Sequence, residues 1–227
     1  MSAVSIDVVP LDVAHEAGWA ALFEACHCAC YCRFWHFSGT TNAWLERCAF
    51  GADENRAEHG AALEAREPSA RGLIAMVSSG PSQKSQSIEP EHVPVNGHGL
   101  GSLLPGRSTS LVVGWMKLVP RATVPKLRKG RVYGALDLGE DEGVYSIGCF
   151  LVHPDYRGRG VARALVIAAD DVVRAWGGRA IEAYPRRSSE PLRDEEVWMG
   201  PERLYIDAGY THVAGEAPYP VLRRELR

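Results

Sequence analysis

The sequence predicts an α/β fold, a mixed sheet with helices packed against it. Two observations carry this reading. Val144 to Val152 is a near-continuous apolar run, as in a strand buried at the middle of a sheet. A helical period follows from about Gly160 to Trp176, and a short strand, Ala180 to Tyr184, comes next. Strand, helix, strand in that order implies a parallel pair joined by a right-handed crossover. The chain has 227 residues, 46% hydrophobic and 23% charged, enough for a full core in one domain spanning residues 1–227.

The elements follow in order. Ser5 to Val9 alternates weakly and opens the sheet. Asp12 is a helix cap for a segment running to about Ala25. Cys26 to Phe37 is aromatic, cysteine-rich and irregular. Thr41 is placed to cap a short helix through Cys48, and Asp53 another through Glu67. Gly72 to Val77 and Leu111 to Val119 are strands. Between them, Ser78 to Ser110 is dominated by Ser, Gly, Pro and Gln with no apolar period, so it reads as a flexible insert at about 78–110. The helix after Val152 has Val161, Leu165, Ala168, Val172 and Trp176 as its apolar stripe, and Gly177 and Gly178 stop it. A short helix, Gly200 to Ala208, and two strands near Thr211 to Ala214 and Tyr219 to Leu226 finish the chain.

Bulk properties exclude several classes. A net charge of −3 gives no basic footprint for nucleic acid. No run approaches the ~20 apolar residues of a membrane span, and Met1 to Pro10 lacks a basic-then-apolar leader pattern. The reading is therefore cytoplasmic, and the six cysteines are expected as free thiols.

The informative segment is Ile147 to Ala162, IGCFLVHPDYRGRGVA. A buried strand ends in a turn containing Arg157, Gly158, Arg159 and Gly160, and a helix opens at once. The first N–H groups of a helix have no partner inside it, and the helix dipole adds positive charge there. Glycine permits close backbone approach, and arginine pairs with phosphate through a fork of donors. Together these features make a pyrophosphate site. A Walker-type loop would need Lys then Ser or Thr, which do not follow Gly160, and the dinucleotide glycine spacing is absent.

Arg157-x-x-Gly160-x-Ala162 after a V-x-P strand end resembles the acetyl-CoA motif of the GNAT superfamily of N-acetyltransferases. Leu204-Tyr205-Ile206-Asp207-Ala208-Gly209-Tyr210 is similar to that superfamily's late helix end. The clear resemblance covers about Val144 to Ala214, and the first half agrees in element order. It implies a GNAT-like acyl-CoA N-acyltransferase fold, a central mixed β-sheet flanked by helices and splayed where acetyl-CoA inserts. It further implies that backbone groups of Phe150, Leu151 and Val152 bond the pantetheine arm. Amides of Arg157, Gly158, Arg159, Gly160, Val161, Ala162 and Arg163 would hold the pyrophosphate. An amine would attack the thioester directly, a strand amide near Cys149 or Phe150 would stabilise the oxyanion, and Tyr205 would assist departure of the CoA thiolate. A tyrosine near pKa ~10 facing a thiol near ~8.5 supports a hydrogen bond to sulfur rather than full proton transfer.

A lysine-like amine is about one part in a thousand free base at neutral pH, so a general base would help. The strand Val144 to Val152 carries no carboxylate. Glu182 on the next strand is the nearest candidate by topology, followed by Glu140, Asp141 and Glu142. Cys26, Cys28, Cys30 and Cys32 alternate, without the second C-x-x-C pair of a zinc site, and read as a partly buried thiol cluster with no metal. Cys30-Tyr31-Cys32-Arg33-Phe34-Trp35 resembles a segment found in a subgroup of GNAT-like proteins, after the first helix, where that fold borders its acceptor site. That places Tyr31, Arg33 and Trp35 at the acceptor pocket, with Trp198 closing it from the other side; a second reading makes the first three core side chains.

The reading is an acetyl-CoA-dependent N-acetyltransferase acting on a small-molecule or peptide amine, with no nucleic-acid or membrane partner and a homodimer left open. An acyl-CoA-binding sensor without turnover and a cysteine-rich metal or redox protein are the alternatives.

Overall fold

The computed structural model describes residues 5–78, 110–129, 132–193 and 196–226. Seven strands form one sheet: β1 (Ile6–Pro10), β2 (Gly72–Ser78), β3 (Ser110–Pro120), β4 (Val144–Val152), β5 (Ala180–Ala183), β6 (Thr211–Ala214) and β7 (Val221–Glu225). Their order is β1-β2-β3-β4-β5-β7-β6. β4 and β5 run parallel, as the strand–helix–strand order requires, and the other neighbours are antiparallel. The helices are α1 (Glu16–Ala25), α2 (Thr41–Phe50), α3 (Ala52–Glu64), α4 (Pro125–Lys129), α5 (Val161–Ala175) and α6 (Glu202–Asp207). No helix among the described residues is long and apolar enough to cross a membrane.

The sheet has two covered faces because its strands alternate. Leu73, Ala75 and Val77 of β2 pack with Val161, Leu165, Val166, Ala169 and Val173 of α5. Ile74, between them, joins Trp19, Phe23 and Trp115 on the α1 and α3 face. Burying each large aliphatic or aromatic side chain contributes ~1.5–3 kcal/mol. The α5 stripe is rotated slightly from the one expected: Val161 and Leu165 are buried, while Ala168, Val172 and Trp176 flank the core. Gly114 sets how close α5 can come, since a Cβ there would lie 2.4 Å from Val161 Cγ1. The start of α5 is thereby pressed onto β3, beside the end of β4.

Several local details differ from the sequence reading. Thr40, not Thr41, caps α2, accepting from the Ala43 N–H at 3.2 Å. Asp12 caps a single turn of 3-10 helix (Val13–His15) that leads into α1. α3 starts after Gly51 with no side-chain cap, so Asp53 lies inside its first turn. The turn Arg121–Thr123 and α4 carried no apolar period strong enough to be read. The insert expected at about 78–110 lies outside the described residues, save for Ser78 and Ser110, which are paired across the ends of β2 and β3.

Candidate active site

β4 and β5 pair only from Val144–Ala180 to Ser146–Glu182. Beyond Ser146 the strands part, and the remainder of β4 has an edge open to a cavity of about 950 Å³. Opposite β3 the register shifts between Met116 and Leu118, so Gly148 and Cys149 bulge out of the ladder. The His153 N–H donates to Val113 at 2.9 Å, which fixes the alternation. Main-chain groups of Phe150 and Val152 face the gap, and those of Leu151 face β3. Leu151 is therefore corrected: it lines the cavity, but its backbone belongs to the ladder.

The Phe150 N–H donates to the Trp198 carbonyl at 2.8 Å. The Val152 carbonyl accepts from the Cys26 thiol at 3.6 Å and from Arg157 Nε at 3.4 Å. At one end of the gap the chain turns through Gly158 (φ 69°) and Gly160 (φ 84°) into α5. A Cβ at either glycine would meet nothing within 4 Å, so glycine is needed there for its left-handed backbone, not for space. α5 has no side-chain cap, and its first backbone acceptance is the Ala164 N–H onto Gly160 at 2.9 Å. The N–H groups of Val161, Ala162 and Arg163 thus open at the cavity wall without helical partners. Arg157 and Arg163 line the same end. Arg159 lies instead over the Tyr156 ring, 5.3 Å from its centroid.

The far end of the cavity is aromatic. Trp35 is buried and donates its indole N–H to the Gly148 carbonyl at 3.1 Å, which pins this wall to the β4 bulge. Trp198 stands 5.5 Å from Trp35 and 6.0 Å from Phe34, centroid to centroid. Trp35 and Trp198 stand together on the cavity wall. Tyr31 and Arg33 do not. Tyr31 stacks on Phe23 at 5.0 Å inside the α1 core, and Arg33 is buried against Glu58, which Arg47 also holds at 2.6 Å.

Both candidate catalytic residues are displaced from the cavity. Glu182 is fully buried and accepts from Arg121 at 2.8 Å, from Arg223 Nε at 2.9 Å and from the Tyr184 hydroxyl at 2.6 Å. It anchors β5 to β7 and to the 138–141 loop, where Arg121 also donates to Asp141 and to the carbonyls of Leu138, Gly139 and Glu140. A carboxylate so committed cannot serve as a base for substrate, and Glu140, Asp141 and Glu142 do not reach the cavity either. Tyr205 is also fully buried, beneath Gly200, and its hydroxyl donates to the Met199 carbonyl at 2.5 Å. Burial, and then Tyr210 beside it, push that phenol well above its ordinary pKa. In this arrangement its ring contacts Phe150, but its hydroxyl does not face the cavity.

Sequence reading missed the sulfur lining. Cys26, Cys28, Cys30, Cys32 and Cys149 all line the cavity. Cys32 and Cys149 are joined in a disulfide, which corrects the expectation of free thiols for that pair, while Cys26, Cys28, Cys30 and Cys48 are free; 117 residues separate the bonded pair, so no local spacing signals it. Cys28 and Cys30 sulfurs lie 3.4 Å apart. The hydrogen bond from Cys30 brings the Cys28 thiol down to about 7, against the upward push of burial, while Cys30 rises. No metal-binding group of three or more His, Cys, Asp or Glu occurs among the described residues.

The order of the sheet, the parted β4 and β5 and the helix start beside them define an acyl-CoA N-acyltransferase fold. Residues 96–193 match the model of the acetyltransferase (GNAT) family. No curated protein matches the chain. Among solved structures it is similar to an N-acetyltransferase from Staphylococcus aureus Mu50, at 11% identity over 98% of this chain and 99% of that one, with a TM-score of 0.47. It is also similar to the PaiA N-acetyltransferase of Thermoplasma acidophilum in complex with coenzyme A, at 8% identity over 97% and 99%, TM-score 0.46. YncA of Salmonella typhimurium with acetyl-CoA gives 14% identity over 98% and 94%, TM-score 0.42.

Proposed function

We propose that this chain transfers an acetyl group from acetyl-CoA to an amine, and that the gap between β4 and β5 is where the two meet. The observation that carries the reading is the continuity of one cavity from the uncapped start of α5, along the open edge of β4, to the aromatic wall at Trp35 and Trp198. An anionic pyrophosphate suits the N–H groups of Val161, Ala162 and Arg163 with Arg157 and Arg163 beside them. A pantetheine arm carries amide groups that suit main-chain groups of Phe150 and Val152, in the manner of an added strand. The reactive thioester then lies near the Gly148–Cys149 bulge.

Direct attack by the amine needs a donor for the developing oxyanion and a route for one proton. The Phe150 N–H is the oriented donor on the open edge, and the incoming carbonyl replaces Trp198 as its acceptor. Cys28 is the group on the cavity wall best matched to proton exchange near neutral pH. The acyltransferase reading is favoured over a non-catalytic sensor because the cavity continues past the β4 edge to the aromatic wall at Trp35 and Trp198. The test follows CoA thiol release with a panel of small amines and lysine peptides. Release that depends on both acetyl-CoA and an amine is expected. Tight acetyl-CoA binding with no release across the panel would favour the sensor.

A further inference from the structure

Three rings enclose the ammonium of Lys126. Its Nζ lies 4.1 Å from the centroid of Phe34, 5.3 Å from that of Phe37 and 5.7 Å from that of Trp44. The rings support one another, with Phe34–Trp44 centroids at 5.6 Å and Phe37–Trp44 at 5.2 Å. Aromatic faces carry negative potential, and such an enclosure attracts a cation without demanding a carboxylate. Phe34 and Trp44 line the same cavity as the β4 edge, and no Asp or Glu lines it among the described residues. Phe34 stands 5.4 Å from Trp35, whose indole is tied to the Gly148 carbonyl. A cation seat and the expected position of the thioester are therefore two ends of one continuous wall.

We propose that this aromatic enclosure is the acceptor subsite, that it selects a cationic primary alkylamine, and that Lys126 is its built-in occupant. The inference rests on the acetyl-transfer reading above and names the acceptor class for it. The chemistry is consistent with a nucleophile that must arrive as an ammonium and leave its proton behind. Burial lowers the pKa of the Lys126 amine from its ordinary value, so the seat holds an ammonium while easing its deprotonation. In the reaction the ammonium first gives one proton to water in the cavity, the free amine nitrogen then bonds to the acetyl carbon, the carbon–sulfur bond breaks, and the second proton passes from that nitrogen to the departing thiolate, so CoA leaves as its thiol. A free alkylamine and a lysine side chain on a peptide present the same chemistry.

The test titrates the full chain with n-butylammonium chloride, and with neutral n-pentanol as control, following tryptophan fluorescence. Lys126→Ala empties the seat and is expected to tighten n-butylammonium binding roughly three- to fivefold, as for a partly exposed cation–π site, with no gain for n-pentanol. Phe34→Leu added to it should remove the gain. Should Lys126→Ala unfold, Lys126→Met serves the same purpose, checked by a melting curve. Comparing acetylation of butylamine with that of a short lysine peptide separates the two sources of the amine. No tightening in either Lys126 variant, or an equal gain for n-pentanol, would overturn the proposal. Calorimetry with acetyl-CoA on the same variants keeps the two ideas apart. CoA bound without the ammonium effect sinks the subsite alone, and the ammonium effect without CoA binding sinks the acetyl-CoA reading alone.

Discussion

Lys117 shows how a single side chain can shape the pH behaviour of the whole chain. It lies in β3, fully buried, and donates to the Ser69 carbonyl at 2.7 Å. Burial, and then the positive charge of Arg33, bring its amine down to about 7. His36, brought to about 3 by burial and by Lys117 and Arg33, lies close by, as does buried His59. Between about 7 and the unfolded value near 10.5 the unfolded chain holds a proton on this lysine that the folded chain has lost. Stability therefore rises with pH across that window, with a slope of up to ~1.4 kcal/mol per pH unit for one proton. Below the window the buried charge carries its full cost. Lys117→Met is expected to raise the urea midpoint most near neutral pH, and the advantage should shrink toward about pH 10. A pH-independent difference between parent and variant would show that Lys117 is not the titrating group. Nothing in the sequence marks this lysine, because its neighbours Arg33, His36 and His59 converge on it only in the fold. Glu182 illustrates the converse. Its place on the strand after the motif was legible, but its commitment to Arg121 and Arg223 depends on β7 and on a loop far away in sequence.

At the scale of elements, the second half was legible because its signals are local. An apolar strand, a glycine turn and an amphipathic helix each report on themselves, and the structure places β4, α5 and β5 where those signals put them. The first half was harder. The segment between α1 and α2 makes its turns with residues at positive φ, namely His27, Tyr31 and Cys32, conformations that composition does not announce. The β2–β3 hairpin offers a test at this scale. Its ends pair at Ser78 and Ser110, so a short turn is long enough to join them. Replacing residues 79–109 with a short Gly-Ser linker should leave the melting temperature at the parent's value or a few degrees above it, since each halving of a flexible loop lowers its closure cost by about 0.6 kcal/mol. A fall of many degrees would show that the replaced segment packs on the sheet.

Over the whole molecule, the account depends on one cavity that joins an uncapped helix start to an open strand edge and an aromatic wall. The first two parts could be read from the motif. The third could not, because Phe34, Trp44 and Trp198 come together from three separate stretches of chain, and Lys126 from a fourth. Gly160 holds the first part in place: its left-handed backbone aims the N–H groups of α5 at the cavity, and the space beside it is open. Gly160→Glu would strain that turn and set a carboxylate where phosphate is expected, opposed by like charge. Calorimetry with acetyl-CoA on parent and variant, each shown to be folded by its melting curve, is the most direct test. The account predicts one saturable site in the parent and an affinity at least tenfold weaker in Gly160→Glu; no binding to the parent, or equal binding to a folded variant, would contradict it.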